Sequence, residues 1–230
     1  MKNCEIYQMN QGTDEWHGVR AKCFTASEFA PFFLESRTEV QRKARKRIIR
    51  KKVRELLHQG GIGYDQWELA EIERNRNLEK WNGDIARGNA MEKTAREAYE
   101  TQFDIDVSQV GFIYNHQGFG CSPDGLIGFD GEVAEYGLEI KSPSPEKFMS
   151  YLENPLDLLE DYQYQVHGSM CVTGLLRWDL WGFCNGFPPI HHVVKWDDFT
   201  DRLLGGLHGM VEEMYDYQEW LEKQFNNWEK

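Results

Sequence analysis

The stretch Cys121–Pro143, CSPDGLIGFDGEVAEYGLEIKSP, sets an aspartate in a Pro-Asp-Gly turn and, fifteen residues on, a glutamate and a lysine either side of one isoleucine. Residues two apart on a strand point the same way, so Glu139 and Lys141 share one face while Leu138 and Ile140 share the other. The apolar pair enters a core and the charged pair lines a cleft. Asp124, stiffened between Pro123 and Gly125, opens the neighbouring strand, and Asp130-Gly131 supplies the hairpin turn between the two. Paired that way, the Asp124 carboxylate reaches Glu139.

Two adjacent carboxylates repel, and a bound divalent cation relieves the repulsion. Oxygen-only ligation suits Mg2+, with Mn2+ as a substitute, since both keep several waters and take phosphate oxygens. A lysine beside such an ion positions a water for deprotonation and steadies the charge that develops on phosphorus. These are the parts that hydrolyse a phosphodiester. Glu-Ile-Lys alone is also what an ordinary surface cross-strand pair looks like. The Pro-Asp-Gly turn upstream and the apolar residues between favour the metal site.

A chain of 230 residues allows one substantial core, so residues 1–230 are expected to form a single domain. Hydrophobic residues at 40% and charged residues at 28% are ordinary globular composition, with 31 aromatics to fill the interior. No apolar run approaches the ~18 residues of a membrane span, and the opening MKNCEIYQMN has no signal-peptide core. Five scattered cysteines without a C-x-x-C pair argue against zinc or an iron–sulfur cluster. They point to a reducing cytoplasm. Net charge is −12, but Arg37–Arg54, RTEVQRKARKRIIRKKVR, holds ten cations against Glu39 alone; that segment is +9 and the remainder −21. An acidic body with one basic face is the asymmetry of a protein that touches nucleic acid locally.

FTASEF carries a capping box, Thr25 with Glu28, and starts a helix in whose first turn Ser27 stands. The basic segment has apolar residues at Val40, Ala44, Ile48, Val53, Leu56 and Leu57, close to a 3.6 period, and is expected as an amphipathic helix. A helix through Glu92 ends near Phe103. Strand-like runs follow (VSQVGFIYN, CSPDGLIGF, EVAEYGLEIKS), then a helix closed by Gly174, the strands RWDLWGFCN and PIHHVVKW, and a long amphipathic helix from about Asp197 to Asn226. Gly60, Gly61 and Gly63 mark a local break. His191 and His192, adjacent on a strand, face opposite ways and cannot share a metal. The expected class is α/β, a central mixed sheet flanked by helices.

CSPDGLIG followed by GLEIKSP resembles the PD-(D/E)xK core of restriction-endonuclease-like nucleases. Together with QGTDEWHGVRAKCFTASEF, RGNAMEKTAREAYE and YQYQVHGSMCVTG, in that order, it is similar to the phage lambda exonuclease family of viral recombination nucleases, over about Gln11 to Val194. The resemblance implies that Asp124, Glu139 and the backbone carbonyl of Ile140 hold metal, that Lys141 is the catalytic lysine, and that Glu92 and Gln165 complete the site. Without it, Glu92 is an i,i+4 partner of Arg96, and Gln165 is equally well a polar residue on an ordinary helix face. It also implies that Arg20 and Ser27 receive a DNA 5′-phosphate. Arg20 offers a planar donor fork and Ser27 the free N–H groups of a helix start; otherwise both are surface residues. Trp16 and His17 are expected to be structural.

The activity so implied is a Mg2+-dependent 5′-to-3′ exonuclease on duplex DNA, which releases 5′-mononucleotides and leaves 3′ overhangs for recombination. A ring-shaped homotrimer around DNA and a single-strand annealing protein as partner belong to the same implication. Two features depart from the family: His167-Gly168 follow Gln165 where larger residues are usual, and the basic helix is unusually basic. Its Arg45, Arg47 and Lys51 either track DNA phosphates or form a solvated face. Two other readings stay open: a restriction-like or repair endonuclease on the same core, which would cut a nicked circle, and a non-enzymatic DNA-binding module indifferent to chelation.

Overall fold

A computed structural model describes residues 1, 3–30, 38–59 and 83–228; Arg37 and the Gly60–Gly63 break lie outside them. Among the described residues no helix is long and apolar enough to cross a membrane. The chain opens with β1 (Glu5–Tyr7), α1 (Asp14–Arg20), β2 (Phe24–Thr25) and a 3-10 turn (Ala26–Glu28), followed by α2 (Glu39–Gln59) and α3 (Gly83–Phe103). Short strands come next: β3 (Val107–Ser108), β4 (Phe112–Tyr114), β5 (Phe119–Cys121) and β6 (Gly125–Ile127). Then follow β7 (Tyr136–Lys141), α4 (Pro145–Glu153), α5 (Leu156–Thr173), β8 (Arg177–Gly182), β9 (Ile190–Lys195) and α6 (Asp198–Trp228).

The expected class holds, α/β with mixed pairing flanked by helices, and among the described residues the strands divide into two mixed sheets, ordered β1-β4-β5-β2 and β3-β6-β7-β8-β9. The run VSQVGFIYN divides between them, with β3 in the larger sheet and β4 in the smaller. Strands of two or three residues carry no readable alternation, which is why the division is invisible in sequence. The chain crosses from one sheet to the other at Ser122-Pro123-Asp124, between β5 and β6. That crossing sets Asp124 at the mouth of β6, where its amide donates to the Leu138 carbonyl at 3.2 Å. β6 and β7 are antiparallel, joined by a turn that Asp130 builds by accepting from the Glu132 and Val133 amides at 3.0 and 2.8 Å. β7 and β8 are parallel, with Glu139 opposite Leu180.

Each face of the larger sheet has its own cover. Leu138, Ile140 and Trp181 bury against Ala95 and Tyr99 of α3. On the opposite side α5 is buried from Val166 to Thr173, in the main core with Leu180 of β8 and Leu203, Leu207 and Met210 of α6. Gly168 is the reason α5 sits so close to the N-terminal block: a Cβ there would lie 2.4 Å from the Phe29 ring. Gly137 does the same within the sheet, since its Cβ would meet the fully buried Trp178 ring at 2.4 Å. Gly137→Ala is therefore expected to cost about 1–3 kcal/mol of stability, read as a lower denaturation midpoint at unchanged helix content.

Three further expectations are corrected by local physics. FTASEF keeps its capping box, the Thr25 amide donating to Glu28 Oε2 at 3.2 Å. The three residues it opens, however, form a 3-10 turn, too short for a macrodipole. In α2 the buried apolar residues among those described are Ile49 and Val53, while Val40 is 77% exposed, so the apolar stripe starts later than its spacing suggests. Lastly, α1 and α4 were not expected; both carry hydroxyl caps, Thr13 accepting from the Trp16 amide and Ser144 from the Lys147 amide.

Candidate active site

β7 delivers what its alternation promises. Glu139 is 1% exposed, and its Oε1 takes two donors, Lys141 Nζ at 2.6 Å and Gln165 Nε2 of α5 at 2.6 Å. Its Oε2 is buried without a hydrogen-bond partner. Asp124 turns its Oδ2 to the Ile140 amide at 2.6 Å, one residue from Glu139. The Lys141 ammonium also lies 4.7 Å from the centre of the Tyr162 ring, one helical turn before Gln165.

The electrostatics follow from this crowding. Burial, then the Glu139 charge, pushes the Asp124 carboxyl well above the usual carboxylate range, despite Lys141 and the Ile140 amide. Burial raises Glu139 as well, and Lys141 pulls it part of the way back. Burial alone would lower the Lys141 ammonium; Glu139 and Asp124 outweigh it and hold the proton on more firmly than usual.

Glu92 does form the i,i+4 pair with Arg96, at 3.1 Å. Arg96 Nη1 also donates to the Asp124 carbonyl at 3.3 Å, which ties α3 to the mouth of β6. Glu92 stands close enough for its charge to raise both Asp124 and Glu139. Helix pairing and proximity to the site are thus compatible, where spacing alone offers them as alternatives.

The two carboxylates fit a hard dication. An orphaned buried oxygen on Glu139 and a destabilised carboxylate on Asp124 are what such an ion would satisfy. Among the described residues no group of three or more His, Cys, Asp or Glu side chains gathers around a metal position. An ion held by these two side chains would take the rest of its shell from water and substrate oxygens, which is the habit of Mg2+.

Arg20 meets the Ser122-Pro123-Asp124 crossing. Its Nη1 donates to Ser122 Oγ at 3.2 Å and its Nη2 to Thr25 Oγ1 at 3.3 Å, with the guanidinium 4.2 Å over the Trp16 ring. Burial lowers its pKa, and a guanidinium stays charged regardless. Ser27 is exposed, its Oγ 3.3 Å from Thr25 Oγ1. Trp16 is tied to the smaller sheet and the crossing, Nε1 donating to the Gly111 carbonyl and to Ser122 Oγ, both at 3.1 Å. Ser122 and Tyr162 are the residues that motif reading passes over. Ser122 sits inside the crossing between sheets, and Tyr162 is legible only as the i−3 neighbour of Gln165.

The basic helix is partly spoken for. Arg45 forms two bonds to Glu213 of α6, at 3.0 and 2.5 Å, and Lys51 lies 3.3 Å from Glu28. Arg47 is exposed. His191 and His192 point to opposite faces, onto Asp179 and onto the Pro155 carbonyl.

The fold and the family it matches mark a deoxyribonuclease. Residues 15–176 match the YqaJ-like viral recombinase domain, and the chain belongs to that family. Solved structures agree on the fold. An alkaline exonuclease from Laribacter hongkongensis (LHK-Exo) superposes with a TM-score of 0.72 at 22% identity, over 94% of this chain and 99% of that one. The same exonuclease in complex with dAMP gives 0.72 at 21% identity, with coverage of 94% and 99%. A phage-related exonuclease from Haemophilus somnus 129PT gives 0.60 at 9% identity, over 88% of this chain and 96% of that one. No curated protein matches the sequence significantly.

Proposed function

We propose that the protein is a Mg2+-dependent exonuclease that degrades one strand of duplex DNA from a 5′-phosphorylated end, releases 5′-mononucleotides and leaves 3′ overhangs for recombination. The observation that carries this reading is the bare Glu139 Oε2: with Lys141 and Gln165 both on Oε1 and Asp124 alongside, one oxygen of the carboxylate is left buried and without a hydrogen-bond partner. Asp124, Glu139 and the Ile140 carbonyl would hold the ion, which would polarise a phosphate oxygen and offset the charge of the transition state.

The chain's own residues do the rest. Gln165 and Lys141 fix the rotamer of Glu139. Lys141, firmly protonated, orients the attacking water and sets positive charge beside phosphorus, where the water oxygen bonds and the P–O3′ bond breaks. Arg96 holds Glu92 and the Asp124 main chain in register. Arg20, with Ser27 beside it, receives the 5′-phosphate by charge-assisted hydrogen bonds. A product of the mononucleotide class accords with the dAMP held by the Laribacter hongkongensis exonuclease. A homotrimeric ring and a single-strand annealing partner complete the proposal, since an acidic body stays on DNA more readily by enclosing it than by charge.

The test is digestion of a linear duplex labelled at its 5′ or 3′ end, in Mg2+, in Mn2+ and in EDTA. Early release of the 5′ label as a mononucleotide, abolished by EDTA, is the expected result. Release of the 3′ label first would reverse the polarity, and cutting of a nicked circle would replace the exonuclease reading by an endonuclease.

A further inference from the structure

Helix α2 reaches the N-terminal block through two lysines. Lys52 is 3% exposed. Its Nζ donates to the Arg20 carbonyl at 3.2 Å and lies 2.8 Å from Glu55 Oε2 and 3.9 Å from Glu28 Oε2. Lys51 takes the other oxygen of Glu28, Nζ to Oε1 at 3.3 Å. Glu28 Oε2 accepts from the Thr25 amide at 3.2 Å and from the Thr25 hydroxyl at 3.1 Å. That hydroxyl accepts in turn from Arg20 Nη2 at 3.3 Å.

The Arg20 fork therefore stands one hydroxyl away from a carboxylate, in a largely buried setting where arginine and glutamate would ordinarily close a bidentate pair. It does not close: its donors go to the hydroxyls of Ser122 and Thr25. The lysines explain why. Together they outweigh the burial of Glu28 and hold its carboxyl below the usual range, so its charge is fully present and fully engaged. Arg20, Lys51 and Lys52 face Glu28 and Glu55. The cluster is one positive charge in excess, and the cation without a carboxylate among the described residues is Arg20.

We infer that Lys52, seconded by Lys51, is a positioning residue for phosphate recognition: the two lysines neutralise Glu28, so that Arg20 stays available to a terminal phosphate and does not collapse onto that carboxylate. This rests on the assignment of Arg20 to the 5′-phosphate. On this account two cations of the basic helix, Lys51 and Lys52, act inward, on the pocket, and not on DNA. Removing Lys52 frees Glu28 to draw the guanidinium across Thr25. Removing the Glu28 charge in the same background takes the competitor away and restores recognition. A lysine that merely stabilises the fold gives the opposite pattern, because a second lesion then adds to the first.

The experiment uses the full chain and linear duplexes ending in 5′-phosphate or 5′-hydroxyl. The ratio of kcat/KM for the two ends is measured for wild type, Lys52→Met, Glu28→Gln, the double variant and Arg20→Ala, with a denaturation midpoint for each. Lys52→Met is expected to lower the ratio roughly ten-fold or more, through KM for phosphorylated ends and with the rate on hydroxyl ends retained. The double variant is expected to recover most of the loss. A folded Lys52→Met with the wild-type ratio, or a double variant no better than the single, overturns the inference. If Lys52→Met does not fold, Lys51→Met against Lys51→Met/Glu28→Gln makes the same comparison, since Lys51 is 61% exposed. A wild type indifferent to the 5′ group, with Arg20→Ala unchanged, instead removes the assignment of Arg20 and this inference with it.

Discussion

Lys141→Ala is expected to slow phosphodiester hydrolysis by at least about two to three orders of magnitude while leaving DNA affinity within a few-fold of wild type. Three features of its setting set the size of the effect. The ammonium is 2.6 Å from Glu139 Oε1, its side chain is 20% exposed, and two neighbouring carboxylates keep it protonated. A charge in so dry a place acts on a developing phosphorane with little screening. Its loss also leaves Glu139 with Gln165 as its one remaining donor and raises the cost of ionising the Asp124–Glu139 pair. Lys141→Arg is expected to rescue poorly, because a planar fork needs the space that the Tyr162 ring occupies. Single-turnover release of a 5′ label, beside a binding titration in EDTA, checks both halves. Substantial hydrolysis by a folded Lys141→Ala protein would transfer the catalytic assignment to another group.

What the sequence reveals of this site, and what it conceals, divides along a physical line. The faces of β7 are legible because a strand's period is fixed: given Glu139 and Lys141 on one side, Leu138 and Ile140 must lie on the other, and they do. Gln165 and Glu92 lie on separate helices, and nothing in their own spacing aims them at Glu139; the order of motif blocks does that. The basic helix misleads in a complementary way. A cation is visible in sequence but its tertiary partner is not, so Arg45, tied to Glu213 across 168 positions, looks the same as exposed Arg47. The two-sheet division is hidden for a different reason, since β2 and β3 are two residues long and their pairing is decided by what packs around them.

Asp179 makes the same point with a measurable consequence. In RWDLWGFCN it is an acid in the middle of an apolar strand, yet its side chain is fully buried and fully engaged. Oδ1 accepts from Arg177 Nε at 2.8 Å; Oδ2 takes Arg177 Nη2 at 2.9 Å, the Tyr99 hydroxyl at 2.7 Å and pairs with His191 Nε2 at 2.7 Å. One carboxylate thereby clamps α3 to β8 and β9, and α3 is the helix that carries Glu92 and Arg96. Asp179→Ala strands Tyr99 and Arg177 beside a cavity and is expected to cost about 3 kcal/mol, the lower end for a broken buried pair because Arg177 remains partly in water. The pH dependence has a definite sign. Burial would raise the Asp179 carboxyl, but His191, Arg177 and Tyr99 outweigh it and depress the folded value below the usual one. A depressed folded pKa means that the stabilisation is fully present above the unfolded value of about 3.9 and is lost as the pH falls through the folded value. Denaturant midpoints for wild type and Asp179→Ala should therefore be separated by a constant gap from pH 6 to 8, and the gap should narrow only below about pH 4. A gap that persists undiminished into acid would mean that the cavity left by the side chain, and not its charge, holds α3 to the sheet.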